Sequence, residues 1–365
     1  MCASVVTFGE VMGRLAPRGE MRFAQVLPGS IDYTFGGGEA NVAVSLALLG
    51  ASAKFVTALP KNPIADACVY ALRGLGVDTT KIVRTKEGRL GLYYLENGAN
   101  QRASNVVYDR DYSSVMLTPA SAYDWAGIFQ GANWFHVTGI TPALSANTAE
   151  ATLVAAKAAK AAGLTVSCDL NFRKKLWNWR PGTAPRDLAE ETMRGIMPYI
   201  DVVIANEEDA EKVLSIKAAG TDVESGELDV EAYRDVAAQV VAQFPNVSKV
   251  AITLRESISA THNNWGGMLF DASTKQAYFA PLDNNGQYAP YEIRDIVDRV
   301  GGGDSFGAGL IFALTTEGLN DPASAIRFAV AASCLKHSVI GDFNYSTRAE
   351  VEGLMAGQAS GRVNR

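Results

Sequence analysis

Short apolar runs rich in β-branched residues recur along the chain, and alanine-rich stretches of helical character lie between them. The runs read as strands buried on both faces, and the stretches between read as crossover helices. Their alternation predicts an α/β fold around a mostly parallel central sheet flanked by helices. Strands are expected at Ser4–Phe8, 53–57, 134–137, Thr165–Asp169, Val202–Ala205 and 249–254. Helices are expected at 39–49, 63–75, 147–162, 185–197, 206–214 and 230–244, with a closing pair at 304–316 and 322–333.

Two regions break the alternation. Segments 21–35 and 89–108, rich in tyrosine and glycine, read as antiparallel hairpins, with Asn97-Gly98 as the turn signal of the second. Together they predict a small β lid formed by about 14–35 and 88–115. Segments 221–228 and 281–287 read as polar surface loops. No internal repeat or linker interrupts the pattern, so one domain over 1–365 is expected.

Composition narrows the function. The balance of 33 basic against 39 acidic residues gives a net charge of −6, without the basic footprint of a nucleic-acid or membrane-surface binder. Neither partner is expected, and any anion must meet a local cluster. Cys2, Cys68, Cys168 and Cys334 stand far apart, and His136, His262 and His337 show no metal-ligand spacing. The start of the chain carries no basic leader, and Glu10 interrupts its apolar stretch. The most apolar window, 40–59, contains Asn41, Ser45 and Lys54 and falls short of the roughly 18 apolar residues of a membrane helix. A cytoplasmic protein is expected.

The candidate chemistry is concentrated in two glycine turns. In Asp298-Arg-Val-Gly301-Gly302-Gly303-Asp304, three glycines run into an apolar helix. The backbone can approach a ligand closely there, and the free N–H groups of the helix start suit an anion. Asp304 beside such a pocket could take a proton from a hydroxyl as a phosphoryl group arrives. The plainer alternative makes Asp304 a helix N-cap. In the second turn, Phe35-Gly36-Gly37-Gly38-Glu39-Ala40-Asn41, the backbone could approach a sugar and Asn41 could bond its hydroxyls.

At this point the residues resemble the ribokinase (PfkB) family of sugar kinases. The resemblance covers nearly the whole chain and implies a ribokinase-like fold with ATP and Mg²⁺. It implies that Gly36, Gly37, Gly38 and Asn41 hold the sugar, that Gly301, Gly302 and Gly303 form the anion hole, and that Asp304 is the base. Gly301 and Gly303 would also meet the nucleotide. Asn206-Glu207-Glu208-Asp209 resembles the family's N-x-x-E element, which organises Mg²⁺ through water, with Glu207 and Asp209 sharing the task. Thr253, Arg255 and Ser257 resemble the nucleotide-lining segment, although the usual glycine after the strand is missing. Arg299 stands where the family has a small residue.

Within the family, the 2-keto-3-deoxygluconate kinases are the most similar group, through Gly91-Leu-Tyr93, Tyr108-Asp-Arg110, Asp169-Leu-Asn171-Phe-Arg173 and Gly341-Asp342. That likeness places Tyr93, Tyr108, Arg110, Arg173 and Asp342 at the substrate, and Asn171 and Arg173 at the nucleotide. Arg110 and Arg173 could grip a sugar-acid carboxylate with their guanidinium forks. A neutral-sugar kinase of the fructokinase or ribokinase type, a silent sugar-binding protein and a dinucleotide oxidoreductase are the alternatives. The last lacks G-x-G-x-x-G after its first strand. A homodimer joined through the lids is expected, because lid strands otherwise leave an apolar face and open edges.

Overall fold

A computed structural model describes residues 4–206, 208–216 and 230–358. Its strands, in chain order, are β1 (Ser4–Phe8), β2 (Met12–Ala16), β3 (Asp32–Gly36), β4 (Ser52–Val56), β5 (Ala58–Pro60), β6 (Val83–Thr85), β7 (Gly91–Glu96) and β8 (Asn105–Asp109). They continue as β9 (Trp134–Thr138), β10 (Thr165–Asp169), β11 (Val202–Ala205), β12 (Lys249–Ser259), β13 (His262–Asp271), β14 (Gln276–Ala280) and β15 (Tyr291–Ile293). The main sheet runs β14-β13-β12-β11-β10-β9-β1-β4, with β15 beside β13. Every pairing from β4 to β12 is parallel, and β13 turns the far end antiparallel.

The central strands are buried on both faces, as their continuous apolar runs require. Helices Ala146–Ala161, Pro185–Ile196 and Val230–Gln243 cover one face, and Gly38–Leu49, Gly302–Leu314 and Pro322–Lys336 cover the other. Alanine and glycine let the last two approach closely: a Cβ on Gly309 would lie 3.0 Å from the Ala329 Cα. In such a sheet the ligand crevice lies outside the carboxyl ends of the strands.

The expected crossover elements are present with ends moved by a few residues. The antiparallel edge β13, β14 and β15 was not expected, because its strands begin in polar or glycine-bearing sequence. The 21–35 hairpin is a correction. That segment holds a helical turn, Phe23–Val26, and only β3; its antiparallel partner is β2, which also pairs with β7 in parallel. The pattern hid β2 because Gly13 and the buried Arg14 interrupt it. The second hairpin, β7–β8, forms as expected, but its tight turn falls between Ala99 and Arg102 instead of at Asn97-Gly98. The result is a separate four-stranded sheet ordered β3-β2-β7-β8. Segment 221–228 lies outside the described residues. No helix among the described residues is long and apolar enough to cross a membrane.

Candidate active site

A cleft of about 610 Å³ opens where the carboxyl ends of β10, β11 and the middle of β12 face the small sheet. At its base lies the glycine turn. Helix Gly302–Leu314 begins on Gly301, whose φ of +83° is left-handed and whose Cβ would lie 2.2 Å from the Asp342 carbonyl oxygen. Gly302 donates nothing to its own helix but its carbonyl accepts from Ser333 Oγ at 2.6 Å, fixing the turn from behind. The Cβ direction of Gly303 is open. First-turn N–H groups therefore face the cleft beside the positive end of the helix.

Asp304 lies within this first turn, so it is not the N-cap; Gly301 is. Asn41 Nδ2 donates to its Oδ2 at 2.7 Å. Burial pushes the Asp304 carboxyl up to about 6, with Asn41, Arg173 and Lys336 pulling back and the nearby Asp342 pushing further. An acid held near that value alternates between charged and neutral forms close to physiological pH.

The sugar-side residues converge, although several are engaged with one another. Asn41 is almost wholly buried; its amide oxygen accepts from the Gly37 N–H and its Nδ2 serves Asp304, so it orients the acid as well as facing the cleft. Gly37 and Gly38 line the cleft, and a Cβ on Gly37 would meet the Glu10 carbonyl oxygen at 2.1 Å. Gly36 does not line it: a Cβ there would meet the Asp342 carboxylate at 2.0 Å, so its glycine makes room for that acid. Asp342 lines the cleft but is buried, accepting from the Tyr93 hydroxyl and from Arg14 at 3.0 Å. Tyr93 thereby spends its hydroxyl on the protein, while Tyr108 keeps 39% of its surface exposed.

The two arginines do not form one matched pair. Arg110 is 6% exposed and bonded through Nε and Nη2 to the Glu10 carboxylate, with its guanidinium 5.3 Å from the Tyr108 ring centre. Arg173 is exposed and, among the described residues, donates only to the Phe172 carbonyl. Its charge lowers the proton affinity of Asp169, Asp209 and Asp304, which places it on the acidic side of the cleft.

Thr253, Arg255 and Ser257 alternate along β12 and share its cleft face, with Asn171 and Asn206 across from them. Asn171 takes a left-handed φ of +34°. Asn206 uses its amide oxygen on the Glu208 and Asp209 N–H groups. Asp209, 3% exposed, gives one oxygen to the Phe172 N–H and the other to the Asn206 N–H. It therefore holds two turns together at the wall of the cleft. Glu207 lies outside the described residues. Asp169 stands near Asp209, its carboxyl raised by burial and by the charges of Asp209 and Asp304. Among the described residues, no three His, Cys, Asp or Glu side chains gather closely enough to hold a metal by themselves.

Residues given no site role from sequence include Arg14, Asp298, Lys336, Glu10 and Asp169. Arg14 bridges Asp298 at 2.5 Å and Asp342 at 3.0 Å, and all three are buried. Lys336, fully buried, donates to the Val339 carbonyl at 3.0 Å. A usable signal existed for Glu10, which follows the first strand at the carboxyl end of the sheet. None existed for Arg14, whose partners lie some three hundred residues away in sequence.

The sequence model of the pfkB family of carbohydrate kinases matches residues 3–347. The chain belongs to the pfkB family of carbohydrate kinases. Over 364 residues it is 32% identical to the 2-dehydro-3-deoxygalactonokinase of Haloferax volcanii, covering 99% of both chains. The crystal structure of 2-dehydro-3-deoxygluconokinase from Thermotoga maritima is similar with a TM-score of 0.87 and 44% identity, over 98% of this kinase and 99% of that chain. A putative Ribokinase II from E. coli, solved in complex with ATP and Mg²⁺, shares the ribokinase-like fold at 17% identity and a TM-score of 0.74, over 98% and 99% of the two chains.

Proposed function

We propose that this kinase transfers the γ-phosphoryl group of Mg·ATP to the terminal hydroxyl of a 2-keto-3-deoxy sugar acid, with 2-keto-3-deoxygluconate or its galactonate epimer as acceptor. The observation that carries the reaction is the pairing of Asp304 with Asn41 beside the N–H groups of Gly301–Gly303 at the base of one cleft. Asp304 accepts the hydroxyl proton, the oxygen forms a bond to the γ-phosphorus, and the β–γ bridge bond breaks to leave ADP. The glycine N–H groups and the helix start offset charge on the transferring oxygens. Thr253, Arg255 and Ser257 line the nucleotide side, and Asn171 and Arg173 stand opposite.

The acid cluster fits a hard cation. Asp169, crowded by Asp209 and Asp304, carries the unfavourable charge that a cation relieves. With no set of three protein ligands among the described residues, Mg²⁺ would be held by Asp169 and Asn206 through its waters and by the nucleotide. When bound, the ion neutralises phosphate charge.

The acceptor assignment rests on Arg110 and Arg173 in the cleft, and on the two relatives named for deoxy sugar acids. Because Glu10 already engages Arg110, the arginine is fixed in place before a carboxylate arrives, and Arg173 supplies the second charge. A fructokinase-like preference for neutral sugars is the competing outcome. Initial rates with both epimers, fructose and ribose decide it: a sugar acid is expected to show the highest kcat/KM, and a better neutral sugar overturns the acceptor assignment.

The small sheet supports the homodimer. One cross-strand row, Thr34–Arg14–Tyr93–Tyr108, is the row that carries Tyr93 and Tyr108 to the cleft; the adjacent row, Tyr33–Leu15–Tyr94–Val107, is on the opposite face. Tyr33 is 43% and Val107 53% exposed, an apolar face that a second copy would cover. The reading also places the enzyme in the cytoplasm, where its nucleotide is made available.

A further inference from the structure

Arg299, which stands where the family has a small residue, lines the cleft within reach of the charge of Arg255. Arg299 precedes the glycine turn by two residues and is half-buried. Its Nη2 donates to Asn263 Oδ1 at 2.8 Å and Ser257 Oγ at 3.2 Å, both neutral, on paired positions of β12 and β13. No carboxylate pairs with it among the described residues. Burying a guanidinium without an acid is unfavourable, and a second guanidinium nearby adds to the cost. Burial first, and then the Arg255 charge, makes Arg299 easier to deprotonate than an ordinary arginine.

A half-buried guanidinium held by neutral acceptors favours an anion beside it. The sugar-acid side, with Tyr93, Tyr108 and Arg110, lies on the small sheet, whereas Arg299 is anchored to β12 and β13. Its guanidinium keeps a fixed orientation through two neutral acceptors, leaving other donors for an oxyanion. We propose that Arg299 is a further specificity-determining residue for the nucleotide, gripping its polyphosphate next to the group that is transferred. This rests on the kinase reading but not on the identity of the acceptor sugar.

The test uses the full-length enzyme with Arg299→Ala and Arg299→Lys. Titration calorimetry with ADP and with adenosine reads this contact without turnover, so it stands even if no sugar acid proves to be a substrate. Arg299→Ala is expected to weaken ADP about tenfold, the loss of one charged hydrogen-bonding group, and to leave adenosine within twofold. Arg299→Lys should recover part of the ADP affinity, because it restores charge without the fork. In turnover, KM for ATP should rise about as far while KM for the acceptor holds. Equal loss for ADP and adenosine, which marks a role in packing alone, overturns the proposal. So does unchanged ADP affinity, or a KM change confined to the sugar acid. Thermal unfolding of each variant confirms that the comparison is between folded proteins.

Discussion

Asp304 joins two properties at one residue: a hydrogen bond from Asn41 that aims the carboxylate, and burial that raises it to about 6. A base must be ionised to take a proton, so kcat/KM should fall as pH drops through about 6 and level off above it, measured as a pH–rate profile. Asp304→Asn should lower kcat by about 10²–10⁴ and remove that limb. The sign for stability is opposite. An acid whose folded value is raised contributes most below its unfolded value and loses that contribution as pH rises through about 6. Asp304→Asn should therefore be no less stable than the parent at pH 7, and its inactivity is not unfolding. Arg110 needs a paired control. Arg110→Ala leaves Glu10 buried and unmatched, so Arg110→Ala with Glu10→Gln is the cleaner variant. Its kcat/KM for the sugar acid should fall roughly 10–150-fold while a neutral sugar changes little, in side-by-side kinetics.

At the scale of elements, one ion network ties the small sheet to the core. Arg14 leaves β2 to reach Asp298, which opens the glycine motif, and Asp342, which receives Tyr93 from β7. Asp298 in turn accepts the N–H groups of Val300 and Gly341, so the strand, the glycine turn and the 341–342 segment share one set of charges. Removing one member of a buried pair leaves the other uncompensated, at a cost of about 3–5 kcal/mol. Arg14→Met should lower unfolding free energy by that amount in denaturant titration, and should lower kcat as well because the turn loses its anchor. Little of this was legible from the pattern of apolar positions. The helix entered by Gly302 and the strands at the carboxyl ends could be placed from their own residues, whereas β2 could not, since its reason for existing is a charge that pairs across the fold.

For the whole molecule, the row Tyr33–Leu15–Tyr94–Val107, exposed at Tyr33 and Val107, sets the expected assembly. Light scattering at micromolar concentration should report a dimer, and Tyr33→Lys with Val107→Lys should convert it to a monomer. A parent protein that is monomeric overturns the arrangement. The cleft itself joins both sheets, so any change that loosens the small sheet should raise KM for the acceptor before it unfolds the core.

The chain's own pattern was enough to determine the parallel α/β layering, because strands buried on both faces must read as continuous apolar runs. It also located the glycine turn and its acid, since the left-handed backbone at position 301 favours glycine and Asp304 follows directly in sequence. Tertiary structure alone decided which polar groups are spent on one another. Glu10 takes Arg110, Arg14 takes Asp298 and Asp342, Asp209 takes two backbone N–H groups, and Arg299 takes Asn263 and Ser257. A residue's type states how much charge it carries; only the folded chain states which charges it must face, because those partners are brought together by a sheet order that no local pattern contains.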